Sequence, residues 1–234
     1  MNKKNLQEII KERDSYELYT HQWQELNSLK NTILSEEKTS TRETILYFNE
    51  KDLENIPMGY SGLNDITENV LINLTQKFES RFTLEYASGV YRHPIPYVLL
   101  KHIDKYFFIL RECGSGETRL IGKIGLVGGH VGEEDKDNDA LSTIINGMGR
   151  ELLEEACVTK DKILSTELKG IIRSNEGVDQ DHLGLIFLID LNTDKIKSEE
   201  DGIISGIWVH KNHLSNHYDN FENWSKIVYD NILK

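Results

Sequence analysis

Three carboxylates near the middle of the chain are spaced to do chemistry together. Glu151, Glu154 and Glu155 stand at i, i+3 and i+4 of a segment that reads as helix, so they share one face at about 5–6 Å spacing. Like charges this close repel, and at the C-terminal end of a helix they also oppose its dipole. A bound cation makes the arrangement favourable. Arg150 lies four residues before Glu154 and can pin that carboxylate in one rotamer. An apolar stripe of Leu141, Ile145, Met148, Leu152 and Ala156 runs along the same helix. The acidic face lies about a quarter turn from its centre, at the edge of the core. The plain alternative is a solvated acidic helix with an ordinary Arg–Glu pair.

What precedes the helix decides against that alternative. Lys123 to Val127 reads as a buried strand running into Gly128-Gly129-His130, where glycine permits a sharp bend or close approach of a ligand. An acidic stretch, Gly132-Glu-Glu-Asp135, follows. Together, GGHV, the acidic loop and RELLEE resemble the Nudix box: Gly, five residues, Glu, seven residues, then Arg-Glu-apolar-x-Glu-Glu-x-Gly-apolar. Arg150, Glu151, Leu152, Glu154, Glu155 and Val158 match the helical half. Three features depart from the pattern. Cys157 stands in place of the last glycine, so the usual left-handed helix stop is not encoded. Fifteen residues, not seven, separate Glu134 from Arg150. The loop acid is Glu134 counting from Gly128 and Asp135 counting from Gly129, so Glu133, Glu134 and Asp135 all stay open.

The chain is similar, more narrowly, to a Nudix subgroup of predicted phosphoesterases in which GGH is followed by an acidic insertion. The likeness continues in IPYVLL before the box, in LKGIIRSNEGVDQDHLGLIF after it and in the closing FENWSKI, covering roughly residues 43 to 234. It implies an α/β fold, an α/β/α sandwich with a mixed sheet, and hydrolysis of a diphosphate linkage in a nucleoside diphosphate derivative. By the same resemblance, Glu154 and Glu155 are the main metal ligands, Glu151 is a further ligand or the base, and the Gly129 carbonyl is a backbone ligand. Arg150 is the orienting group, and the loop acid, Glu134 by the count from Gly128, completes the site. Mg²⁺ suits this role because it is a hard cation that takes carboxylates, keeps waters and bridges phosphates; Mn²⁺ is the alternative. Two other readings stand beside the enzyme. One is a Nudix-fold module that senses a nucleotide such as ADP-ribose without cleaving it; the other is a scaffold whose helical arm binds a partner.

The remaining elements must position that site. At 234 residues the chain can hold one substantial domain plus an extension. A net charge of −12 argues against nucleic acid or an anionic membrane as partner and admits a small polyphosphate only where a metal or local Arg and Lys screen it; the small nucleotide-type substrate is what the resemblance implies. The two cysteines, Cys113 and Cys157, lack metal-ligand spacing, and no apolar run resembles a signal or a membrane span, so a cytoplasmic protein is expected. Residues 1–40 read as a helical N-terminal extension, able to pack on its own domain or pair two subunits, and 41–234 as the Nudix domain with its box at 128–158. Strands are expected at 44–48, 91–100, 105–111, 168–172, 183–190 and 203–209, and helices at 66–79 and 221–233. His93-Pro-Ile-Pro96 is expected at a sheet edge or strand start, because proline cannot donate to a ladder. Arg92, His93 and Arg111 read as solvent-facing or as phosphate contacts, while Glu176, Asp179, Asp181 and His182 lie in a polar loop that could supply a ligand or a base.

Overall fold

The computed structural model describes residues 43–63, 68–86, 89–111, 122–196 and 204–234. The expected N-terminal helix, the linker after it and Cys113 lie outside them, as does the Arg111 side chain. Strands β1 (Thr44–Asn49), β2 (Gly59–Gly62), β3 (Lys77–Ser80), β4 (Tyr91–His102), β5 (Lys105–Arg111), β6 (Ile124–Gly125), β7 (Ile163–Arg173), β8 (His182–Leu191) and β9 (Ile204–His210) form one mixed sheet. Its main path runs β2-β7-β8-β4-β1-β3, and β5 joins β4 to β6 and β9. The helices are α1 (Glu68–Ile72), α2 (Arg81–Tyr86), α3 (Ala140–Ala156) and α4 (Asn223–Val228).

The two faces of β4 divide the core, as the two-residue period of a strand requires. Val98 and Leu100 join Phe107, Ile109, Ile144, Met148 and Leu152 on the side covered by α3. Ile95, Tyr97 and Leu99 join Phe108, Phe221, Trp224 and Val228 on the side covered by α4. Helix, sheet and helix are therefore stacked as the expected α/β/α sandwich. Burying a side chain such as Leu152 or Val98 contributes roughly 1.5–3 kcal/mol, so the α3 stripe alone fixes that helix on the sheet.

Four sequence expectations change. Residues 66–79 do not form one helix: α1 ends where the Leu74 N–H turns back to the Leu71 carbonyl, and Lys77–Ser80 pair antiparallel with β1. Pairing Phe78 with Leu46 overrides the helical period of the segment. Gly59–Gly62, which reads from its glycines as a turn, is strand β2, laid antiparallel on β7. The C-terminal segment is α4 followed by a π-helical turn at Tyr229–Leu233.

The fourth change concerns the prolines. His93-Pro-Ile-Pro96 lies in the middle of the sheet, paired in parallel with β8 from His93 to Lys101. Val98 donates its N–H away from β8, to the Val127 carbonyl at 2.8 Å. Pro94 and Pro96 share its parity, so their missing donors also face away from the β8 ladder. That side is filled by the Val127-Gly128 turn, and the two prolines leave room for it.

Candidate functional site

Strand β6 ends in a buried run, Ile124 to Val127, that delivers the chain to Gly128. Tyr97 holds this approach in place. Its hydroxyl accepts the Leu126 N–H at 3.1 Å, donates to Glu222 and bonds Ser225 Oγ at 2.7 Å. Burial and the Glu222 charge push the Tyr97 phenol well above its usual pKa, so it stays a neutral donor.

The double glycine is a steric requirement. A Cβ on Gly128 would collide with the Pro96 carbonyl oxygen, and one on Gly129 would occupy the space of the Glu151 carboxylate. The Gly128 N–H donates to Glu155 Oε2 at 3.1 Å. Two of the three candidate carboxylates therefore rest directly on the turn that precedes them.

Helix α3 begins at Asp139, whose carboxylate caps the Ser142 N–H at 2.9 Å. Of the expected stripe, Met148, Leu152 and Ala156 are buried and Leu141 packs partly against the core, whereas Ile145 is exposed and Ile144 is buried in its place. A Cβ on Gly147 would stand 3.0–3.2 Å from Asp135 Oδ2 and the Val131 methyls. Gly147 therefore lies against the loop that precedes the helix. The helix ends at Cys157, which adopts the left-handed conformation at φ 50° and ψ 36° despite being no glycine. Its N–H reaches the Leu153 carbonyl, and the Val158 N–H the Leu152 carbonyl, so the expected stop forms with a strained residue in it.

Arg150 is the hub of the site. It donates to Asp135 Oδ2 at 2.9 Å and Oδ1 at 3.2 Å, to Glu151 Oε1 at 2.8 Å, to Glu154 Oε2 at 3.1 Å and to the His130 carbonyl at 2.8 Å. Hydrogen bonding to Asp135 leads the causes that hold its charge. Asp135 also accepts the Gly132 N–H at 2.8 Å and is 6% exposed. Glu134 is 65% exposed and approaches Arg150 only to 3.8 Å. Burial pulls the Glu151 carboxyl up from its ordinary pKa, against the pull of Arg150. Arg150, Glu151, Glu154, Glu155 and Gly129 are therefore brought together, with Asp135 as the loop acid inside the hydrogen-bond network and Glu134 at its rim.

Arg92 has a different role from the one expected, and Arg173 shares it. Arg92 is 1% exposed and binds Glu50 with Nε at 2.6 Å and Nη2 at 3.1 Å, together with the Asp179 carbonyl at 3.0 Å. Arg173, the last residue of β7, donates to Glu50 at 2.7 Å and to the Leu53 and Ile56 carbonyls. Both tie the strand ends together instead of facing solvent. A groove lined by Asn49, Glu50, Lys51, Glu54, Val90, Tyr91 and Arg173 opens over this tie and includes none of the α3 carboxylates. In the 173–182 loop, Asp181 accepts the Gly89 N–H at 2.7 Å and Asp179 accepts Asn223 at 2.6 Å.

A second cluster went unrecognised in the sequence. His93, His130 and His182 converge, one potential ligand nitrogen from each lying within 4.8 Å of the others. Burial, then His182, then Arg81 lower the His93 pKa from 6.5 to about 3, and burial likewise holds His130 well below its usual value. Each residue was visible alone, but only the parallel register of His93 on His182 unites them.

No family model matches the chain. Protein YmaB of Bacillus subtilis (strain 168) is 29% identical over 145 residues, 60% of this chain and 70% of that protein. The crystal structure of Tm1382, provisionally assigned as a Nudix hydrolase, superposes with a TM-score of 0.67 at 25% identity, covering 82% of this chain and 98% of that one. The box residues, the sandwich around them and this shared architecture give the chain the Nudix fold and make it similar to the Nudix hydrolases, a family of pyrophosphohydrolase enzymes that generally use divalent metals.

Proposed function

We propose that the protein hydrolyses the diphosphate linkage of a nucleoside diphosphate derivative, using a divalent cation, Mg²⁺ first and Mn²⁺ second, held by Glu151, Glu154 and Glu155. The observation that carries this reading is the seating of carboxylates on the double glycine: Glu155 on the Gly128 N–H and Glu151 against Gly129. Among the described residues Arg150 is the cation that pairs with Asp135, Glu151 and Glu154, so one guanidinium faces three carboxylates. Oxygen donors of this kind fit a hard cation.

Such an ion, when bound, neutralises phosphate oxygens and lowers the pKa of a water. The chain's own residues do the rest. Arg150 fixes the rotamers of Glu151 and Glu154, and Asp135 fixes Arg150. Glu151, buried and raised in pKa, is the carboxylate suited to accept a proton from an attacking water when it does not serve as ligand. Glu134, exposed beside Arg150, is free to swing in as an additional ligand. The Gly129 carbonyl is the backbone ligand in this reading.

The test is release of nucleoside monophosphate and the phosphorylated second product from a panel of nucleoside diphosphate derivatives with Mg²⁺ or Mn²⁺, wild type beside Glu154→Gln. Metal-dependent turnover that falls about 100-fold or more in the variant supports the reading, since loss of even an outer-shell partner costs 10–100-fold. Nucleotide binding with no turnover across the panel sinks the hydrolase and favours a sensor of nucleotides. Turnover indifferent to the substitution puts the cation elsewhere.

A further inference from the structure

We propose that His93, His130 and His182 form a second metal site, one that takes a transition-metal ion, zinc by preference, through three imidazoles. The site is separate from the carboxylates. By strand alternation His93 shares the face of Ile95 and Tyr97, and His182 that of Gly184 and Ile186, which is the face under α4 and Trp224. The glutamates belong to α3 on the opposite face.

Three observations carry the assignment. First, His93 is 1% exposed, and among the described residues neither of its ring nitrogens has a hydrogen-bond partner; His130 Nε2 is buried in the same condition. Buried polar atoms are nearly always satisfied, and leaving one without a partner costs about 1–3 kcal/mol. A metal ion removes that cost for several nitrogens at once. Second, the rings do not stack. Their centroids form a nearly equilateral triangle of 5.4, 5.6 and 5.6 Å, with interplanar angles of 87°, 53° and 52°. Ligand nitrogens within 4.8 Å of one another need only small side-chain rotations to reach the roughly 3.4 Å separation set by tetrahedral zinc with bonds near 2.0–2.1 Å. Third, the backbones are already fixed. His93 and His182 are register partners in the parallel β4–β8 pair, and the His130 carbonyl is held by Arg150. A site on such supports is preorganised.

The donor chemistry selects the ion. Imidazole suits zinc, copper, nickel and iron, whereas Mg²⁺ takes oxygen, so the two sites sort their metals by ligand type. Three histidines leave a fourth position for water or a ligand oxygen. Arg81, whose charge reaches both His93 and His130, is itself paired with Glu43 at 3.0 Å and Glu85 at 2.7 Å. The Asp179 carboxylate lies within electrostatic reach of His182 and offsets part of an added positive charge.

The full chain, stripped with a chelator, is titrated with Co²⁺ by visible absorption and with Zn²⁺ by calorimetry, in excess Mg²⁺ to fill the carboxylates. The expected result is one ion per chain with the absorption of nitrogen-ligated tetrahedral cobalt, displaced by zinc. His130→Gln and His182→Gln are expected to weaken binding by about 100-fold or more, while Glu154→Gln leaves it within about threefold. His93→Gln is the buried variant; the two half-buried ones, checked for folding by thermal melts, keep the test decisive if it unfolds. No zinc binding in the wild type, or binding lost in Glu154→Gln and kept in the histidine variants, overturns the site. None of these readouts depends on turnover, so failure here is distinguishable from failure of the hydrolase reading.

Discussion

Acid should destabilise the metal-free protein through His93, and the size of the effect follows from its burial. The group's pKa falls from 6.5 to about 3, first by desolvation and then by repulsion from His182 and Arg81. Between those values the unfolded chain binds a proton that the folded chain refuses. Stability from this residue is therefore whole above about pH 6.5 and is lost as pH falls toward 3. Each pH unit within that window costs about 1.4 kcal/mol, so a drop from about pH 7.5 to about pH 4.5 removes about 3 kcal/mol. That is a large share of the roughly 5–15 kcal/mol by which a domain is stable.

The perturbation is His93→Gln, which keeps a buried polar side chain and removes the titration. An unpaired amide lowers its stability at neutral pH by about 1–3 kcal/mol, but the readout is the slope against pH, not the level. Urea unfolding of chelator-stripped protein, followed by tryptophan fluorescence at the two pH values, gives that slope. Carboxylates held low by partners, such as Glu50 between Arg92 and Arg173, contribute equally to both proteins and cancel in the difference. Wild type should lose about 3 kcal/mol more than the variant over the interval. Equal losses, within about 1 kcal/mol, would refute the reasoning, because they would mean that His93 takes up its proton as readily folded as unfolded.

Three further outcomes follow from the site's geometry. Cys157→Gly relieves a left-handed φ of 50° at the end of α3 and, after the entropy glycine adds to the unfolded chain, should raise the melting temperature by about 2 °C in calorimetry. Gly129→Ala should reduce turnover far more than stability, since the nearest atoms to its methyl are those of the movable Glu151 carboxylate, whereas Gly128→Ala meets the Pro96 backbone and should cost folding itself; thermal melts and turnover of the pair separate the two. Arg150→Lys loses the fork that grips both Asp135 oxygens and should destabilise by about 2–4 kcal/mol in urea titration, with Asp135 left buried and half-answered.

The sequence made the layered fold and the carboxylate face legible because both rest on local periods. Strand alternation and the i, i+3, i+4 spacing of Glu151, Glu154 and Glu155 need no long-range knowledge. What stayed hidden depends on partners distant in the chain. Phe78 reads as helical until Leu46 is beside it, and the prolines of β4 read as an edge until the Val127 turn shows which side they face. Asp135, Glu134 and Glu133 are indistinguishable by counting; the buried fork of Arg150 separates them. The Cys157 stop forms because the Leu152 and Leu153 carbonyls need donors, whatever residue stands at the cap.

The tripeptide Gly128-Gly129-His130 shows why the two sites belong to one structure. Gly128 must lie against the Pro96 backbone, which brings the chain to the open side of β4. One residue later, Gly129 meets Glu151 on the α3 face, and one residue after that His130 meets His93 and His182 on the α4 face. The chain thus crosses the sheet between two faces within three residues, a path that demands the missing Cβ at both glycines. Arg150 closes the crossing by donating to the His130 carbonyl with one nitrogen and to Glu151 with another. A shift of that guanidinium must move a candidate ligand on each face together. Occupation of the histidine cluster is therefore expected to stiffen the turn that seats Glu151 and Glu155, and hydrogen exchange at the Gly128 amide, with and without zinc, reads that coupling directly. Unchanged protection at Gly128 on saturation with zinc would mean that the tripeptide joins the two faces without transmitting anything between them.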